Sequence, residues 1–161
     1  MSIPFPLHLY LTKLQMQHVN PRPSLQLLQR LQEQHLRCIP FENIDIVVGQ
    51  RVSMALADVQ HKLLQHDSAP TPPGEEAGVS AGRGGYCFEH NTLMMAALRA
   101  IGFVVEPLLA RVRWNKDRDV QTTFTHMALR VTWQVCPDVL LRSFVRVVVI
   151  TSSQSRHAAA G

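Results

Sequence analysis

Three cysteines and eight histidines supply the chain's candidates for covalent chemistry. Cys87 occupies the position best suited to it. The stretch Arg83-Gly84-Gly85-Tyr86-Cys87-Phe88-Glu89-His90-Asn91 runs into the apolar segment 92–102, which places Cys87 at or beside a predicted helix start. A glycine pair lets backbone approach a ligand closely. The free N–H groups and positive dipole end of such a helix stabilise a thiolate and a transient oxyanion, with the Cys87 N–H as one donor. Against this nucleophile stands a plainer reading, a buried and inert cysteine behind a turn, which composition alone favours. His126, or any other histidine, could act as base, so one Cys and one His leave both readings open. A zinc reading uses Cys87-x-x-His90 with His126 and Cys136 as further donors. It lacks a second close pair, because His126 and Cys136 lie ten positions apart on a predicted strand, and no metal is expected.

Helices and strands must position these side chains. Ser24, after Pro23, is a good cap for a helix with Leu25, Leu28 and Leu31 along one face. Pro40 pushes Ile39 out of the helical region and breaks the pattern. A second helix is predicted from a Ser53 cap to about Gln65, with Leu56, Val59 and Leu63 on its buried stripe. Residues 67–82 are rich in Pro, Gly and small polar side chains, too poor in apolar surface to offset the entropy of ordering, and read as a disordered insertion. Helix 87–101 is apolar nearly all round, with Gly102 at its C′ position. The period then changes: 103–106 and 108–112 read as strand, 114–120 as a polar hairpin connection and 123–135 as strand again. In that last strand His126, Ala128 and Arg130 face one way, and Met127, Leu129 and Val131 the other. Helices first and strands second make an α+β layout, with 1–102 a helical domain, 103–150 a strand domain and 151–161 a frayed tail.

At 161 residues, 46% hydrophobic and 17% charged, the chain is long enough to bury a core and is no disordered tail. Its net charge of +4 is spread along the sequence, and aromatics make up only 6%, which argues against a nucleic-acid groove. Met1-Ser2-Ile3-Pro4-Phe5-Pro6 has neither the basic region nor the apolar run of a secretory signal. The apolar stretch 139–150 is interrupted by Arg142, Ser143 and Arg146, and is shorter than the ~20 residues that cross a bilayer. Three widely spaced cysteines suit a reducing compartment. These features predict a cytoplasmic protein with no nucleic-acid or membrane partner.

Three stretches carry a family resemblance. Cys38-Ile39-Pro40-Phe41-Glu42-Asn43-Ile44-Asp45, the word from Arg83 to Asn91, and Thr125-His126-Met127-Ala128-Leu129 resemble, in order, signature segments of the arylamine N-acetyltransferases. The Arg-Gly-Gly-aromatic-Cys word is highly specific, and the 39-residue step from Cys87 to His126 is also similar to the family's. It argues against a papain-like hydrolase, which shares only the Cys-His logic. The resemblance covers about residues 5–133, apart from the insertion. It implies a helical bundle, then a partial antiparallel β-barrel in a cysteine-protease-like arrangement, with the family's third, lid domain missing here.

By the same resemblance Cys87 takes an acetyl group from acetyl-CoA and passes it to an arylamine or arylhydrazine by a ping-pong route, with His126 as base. A triad carboxylate is implied on the neighbouring strand, but its expected place reads Leu140-Leu141-Arg142-Ser143-Phe144, and Asp138 is the only acid after His126. Asp138 is therefore the candidate third member. Thr122, Thr123 and Thr125 fall where the family's cofactor loop lies, and Thr125 is the candidate contact to the coenzyme. Arg83 and Glu42 are expected to form a buried ion pair that, with Gly84 and Gly85, supports the loop before Cys87. The alternative to an enzyme is an inactive fragment or pseudoenzyme that acts as a binding module.

Overall fold

The computed structural model describes residues 5–64, 83–113, 115–117, 119–134 and 144–149. Helices come first: α1 (Leu7–Lys13), α2 (Leu25–Cys38), α3 (Ile44–Val47), α4 (Leu56–Leu64) and α5 (Cys87–Ile101). Strands β1 (Val104–Arg111), β2 (Phe124–Gln134) and β3 (Phe144–Val149) follow. They form one antiparallel sheet in the order β1-β2-β3. The mixed α+β layout is as read from the sequence. Among the described residues the sheet is open rather than closed into a barrel. The insertion 67–82 and the tail 151–161 lie outside the described residues.

Local sequence explains the helix ends. Ser24 Oγ accepts the Leu27 N–H at 3.1 Å, which satisfies one of the orphan donors of α2. The face that α2 buries is Leu27, Leu28, Leu31 and His35, whereas Leu25 of the predicted stripe is 44% exposed. The true stripe is rotated because a histidine, not a leucine, completes it one turn after Leu31. Ser53 lies before α4 and binds Asp58 at 2.5 Å and the Ala55 N–H at 3.2 Å. In α4 the buried residues are Val59, Leu63 and Leu64, while Leu56 is exposed.

Helix α5 is the centre of the fold. It packs against α1 and α4 on one side and β1 and β2 on the other. Leu93, Met94, Ala97 and Leu98 are fully enclosed, and each large apolar side chain so buried contributes about 1.5–3 kcal/mol. Gly102 ends the helix at φ +109, a left-handed conformation that a β-carbon disfavours.

The sheet departs from expectation at Pro107. The sequence reads as two strands interrupted there, yet β1 runs through and pairs Pro107 with Leu129. A proline is tolerated because β1 lies at the sheet's edge among the described residues, where no second ladder needs its missing N–H. Met127, Leu129 and Val131 are buried in the core as predicted, and Ala128 is buried as well. Arg130 pairs with Glu106 directly opposite it.

Candidate active site

Gly84 and Gly85 bring the chain to Cys87 against the turn at Pro40. The Gly85 N–H donates to the Pro40 carbonyl at 3.1 Å, and the Gly85 carbonyl accepts from the Glu42 N–H at 2.9 Å. A β-carbon on Gly84 would sit 2.1 Å from the Pro40 oxygen. No side chain fits there without moving backbone. Two residues later α5 begins with Cys87 itself, after Tyr86. Glu89, in the third helical position, accepts the Tyr86 N–H at 3.0 Å and so caps the helix from within.

The Cys87 sulfur lies against the edge of β2. It donates to the Thr125 carbonyl at 3.8 Å, and the Met127, Phe88 and Cys87 backbone groups favour its charged form. Strand β3 pairs with β2 only from Leu129 onward, so the edge beside His126 is left to the start of α5. Asn91 fixes this join, donating from Nδ2 to the carbonyls of both Cys87 and Met127 at 2.8 Å. His126 therefore sits between the two residues whose backbone groups face the thiol. Its Nε2 is buried and has no hydrogen-bond partner among the described residues.

Burial works against the thiolate that a helix start favours. Burial pushes the Cys87 thiol above its usual range, and the surrounding N–H groups only partly offset that. Burial also holds His126 below the usual histidine value. Burial thus disfavours the charged form of both side chains.

The expected Arg83–Glu42 pair is present but is neither buried nor closed. Arg83 is 48% exposed, and reaches Glu42 at 3.3 Å and Asp45 at 2.6 Å. The inner cation is Lys62, which binds Asp45 and Glu89 at 2.8 Å each and lies 3.5 Å from Glu42. Burial opposes its charge, but the bonds to Asp45 and Glu89 win and raise Lys62 above the usual lysine value. The Lys62 and Arg83 bonds hold the Asp45 carboxyl below its usual range. Sequence reading missed Lys62, Asp45 and Glu89. Only Glu89 left a signal, as the acid at the third helical position.

Thr125 contributes its carbonyl toward the sulfur, and its side chain is exposed. Thr122 Oγ1 is buried with no partner among the described residues. Asp138 and Cys136 lie outside the described residues. The Cys87-x-x-His90 pair is not arranged for zinc, because both ring nitrogens of His90 are bonded, to His35 and to the Pro40 carbonyl. Among the described residues no group of three or more potential ligands could hold a metal ion, and no helix is long and apolar enough to cross a membrane.

A cysteine at a glycine-led helix start, a histidine on the adjoining strand and a sheet packed on that helix make up the candidate site. A family profile described as N-acetyltransferase matches residues 24–68 and 74–135. The chain belongs to this family, that of the arylamine N-acetyltransferases. An arylamine N-acetyltransferase of Mycolicibacterium smegmatis is 36% identical over 123 residues, covering 76% of this chain and 39% of the relative. The solved arylamine N-acetyltransferase of M. tuberculosis superposes with a TM-score of 0.71 at 30% identity, over 92% of this chain and 47% of that one. The Mycobacterium marinum enzyme, solved in complex with CoA, gives 0.68 at 29% identity over 89% and 46%. This chain thus spans less than half the length of these relatives.

Proposed function

We propose that Cys87 carries an acetyl group, taken from acetyl-CoA as a thioester and delivered to an arylamine or arylhydrazine. The observation that carries this reading is the seating of the Cys87 sulfur on the β2 edge, 3.8 Å from the carbonyl of Thr125, the residue next to a histidine whose Nε2 has no hydrogen-bond partner among the described residues. In the first half-reaction the thiol proton passes to the His126 ring as sulfur attacks the acetyl carbonyl. The carbon–sulfur bond to the coenzyme breaks, and the coenzyme leaves as its thiol, reclaiming the proton. In the second an amine attacks the Cys87 thioester, loses a proton to His126, and Cys87 departs protonated. The N–H groups of Cys87 and Phe88 at the helix start stabilise the charge that develops. Thr125 lies where the coenzyme would approach.

In this reading Asp138 orients His126, and the three-stranded sheet is part of a barrel-like second domain. A serine triad whose Asp becomes Asn loses about 10⁴ in turnover, so without that carboxylate transfer would be slow. A second reading, a pseudoenzyme or inactive fragment that acts as a binding module, is favoured by the His126 Nε2 that lacks a partner among the described residues. Intact mass after incubation with acetyl-CoA decides between them. One acetyl adduct that is absent from Cys87→Ala supports transfer; no adduct on the native sequence leaves the binding module.

A further inference from the structure

A second cluster of titratable groups lies on the far side of the Pro40 turn and takes no part in the chemistry above. Tyr10 Oη is 3.0 Å from His35 Nδ1, His35 Nε2 is 2.9 Å from His90 Nδ1, and His90 Nε2 is 3.1 Å from the Pro40 carbonyl. Tyr10, His35 and His90 are all fully buried. These three residues belong to α1, α2 and α5, so the line of bonds crosses the helical layer.

The last acceptor sets the direction of every bond. A carbonyl can only accept, so His90 carries its proton on Nε2, and its Nδ1 is then an acceptor in the neutral ring. His35 must donate to it from Nε2, which makes His35 Nδ1 an acceptor in turn. Tyr10 has one proton to give and gives it there. Met94 Sδ, also 3.0 Å from the hydroxyl, is left as a weaker, polarisable contact. Burial lowers the affinity of both rings for a second proton, and in His35 the neighbouring His90 adds to this. A proton added to His90 Nδ1 would set two N–H groups against each other.

The chain of bonds ends on the oxygen that shapes the nucleophile loop. Pro40 O also accepts the Gly85 N–H at 3.1 Å, so both of its lone pairs are used. The same oxygen is the atom that excludes a side chain from Gly84. His90 stands one helical turn beyond Cys87, so one side chain ties the first turn of α5 to the carbonyl that Gly85 binds.

We propose that Tyr10, His35 and His90 form a one-way hydrogen-bond chain ending on the Pro40 carbonyl, and that through this carbonyl His35 and His90 are positioning residues for Cys87. Only the acetylation measurement below rests on the acyl-transfer reading. The direction of the chain is read from long-range ¹H–¹⁵N spectra of histidine-labelled protein. At neutral pH both rings should hold their proton on Nε2, in the native sequence and in Tyr10→Phe alike, because the far carbonyl sets the polarity. A proton on Nδ1 of either ring, or a charged ring, overturns the chain.

Positioning is read from exchange of the Gly85 amide. His90→Leu should speed it by about tenfold, as a local opening becomes easier. His90→Gln, whose amide can reach the same oxygen, should restore most of the protection. Unchanged exchange in His90→Leu overturns the positioning role. Should that variant fail to fold, Tyr10→Phe decides: two retained Nε2–H rings support the proposal, and a switch of either overturns it. In folded His90→Leu, acetylation of Cys87 should fall about tenfold through misplacement, while alkylation by iodoacetamide, which needs no such orientation, changes less than about twofold. A native sequence that accepts no acetyl group ends the acyl-transfer reading, and the ring tautomers and Gly85 exchange then decide the chain of bonds on their own.

Discussion

Asn91 joins the two halves of the candidate site with a single amide. Its two N–H donors point at the carbonyls of Cys87, four residues earlier in α5, and of Met127, next to His126. The amide cannot be turned over, because its oxygen would then face two carbonyl oxygens. Asn91→Ala takes the side-chain donor from the Met127 carbonyl and leaves the Cys87 carbonyl only its helical partner, which should lower stability by about 2 kcal/mol. The same substitution frees the edge of β2 beside the thiol, so Cys87 acetylation should fall more steeply than the fraction folded. Urea unfolding checks the first effect, and the acetyl adduct formed at a denaturant-free fixed time checks the second. A stability loss below about 0.5 kcal/mol, the range of surface substitutions, would mean that Asn91 is not the join. Gly84 shows the opposite case, in which an absent side chain is the requirement and the Pro40 oxygen enforces it.

The loop before α5 is held by charges that three helices and the loop itself supply: Asp45 from α3, Lys62 from α4, Glu89 from α5, and Glu42 and Arg83 from the turns beside them. The two cations differ in consequence. Lys62→Met leaves three carboxylates facing one another with Arg83 alone to balance them, and should lower stability by about 2 kcal/mol, less than for a fully dry pair. Arg83→Ala removes a half-exposed side chain whose partners keep Lys62, so solvent screening limits the loss to under about 1 kcal/mol. Adding Glu89→Gln to Lys62→Met should recover part of the loss, a coupling measurable by a double-mutant cycle. Equal losses from Lys62→Met and Arg83→Ala would contradict this ordering. Of this only the Arg83–Glu42 pair and the acid at Glu89 were legible beforehand, because Lys62 meets Asp45 and Glu89 across 17 and 27 residues, and pattern reading sees only local spacing. What was legible had a local cause: Ser24 and Gly102 mark helix ends by their own chemistry, and the glycine pair marks Cys87. Helix α1 follows Pro6, which has no side chain to cap it, and α3 has four residues, too few for a period. Pro107 misled because its meaning depends on which strands lie beside it.

Burial of ionisable groups throughout the fold predicts how stability follows pH. His35 and His90 bind a proton less readily when folded, chiefly because burial penalises the charged ring, and His126 adds a smaller contribution of the same sign. The unfolded chain therefore holds more protons than the folded one as pH falls below the ordinary histidine value of about 6.5. Stability is then fully present above that value and is lost on acidification. Asp45 acts in the same direction at lower pH, since its folded carboxyl is held below the usual range by Lys62 and Arg83. Toward alkali the sign reverses. The Cys87 and Cys38 thiols are raised by burial, so the unfolded chain releases their protons first and stability falls as pH rises through the thiol range. The result is a plateau between the histidine and thiol ranges, with a shoulder on the acid side. A ring that stays neutral in the folded state accounts for about 1.5 kcal/mol between pH 6.5 and pH 5, so His35 and His90 together set an upper limit of about 3 kcal/mol. Urea midpoints measured at pH 7.5, 6.5 and 5 should be nearly equal for the first two and clearly lower for the third. A midpoint that does not move down to pH 5 would show that the folded chain protonates these rings as easily as the unfolded one, against the penalty that their burial imposes.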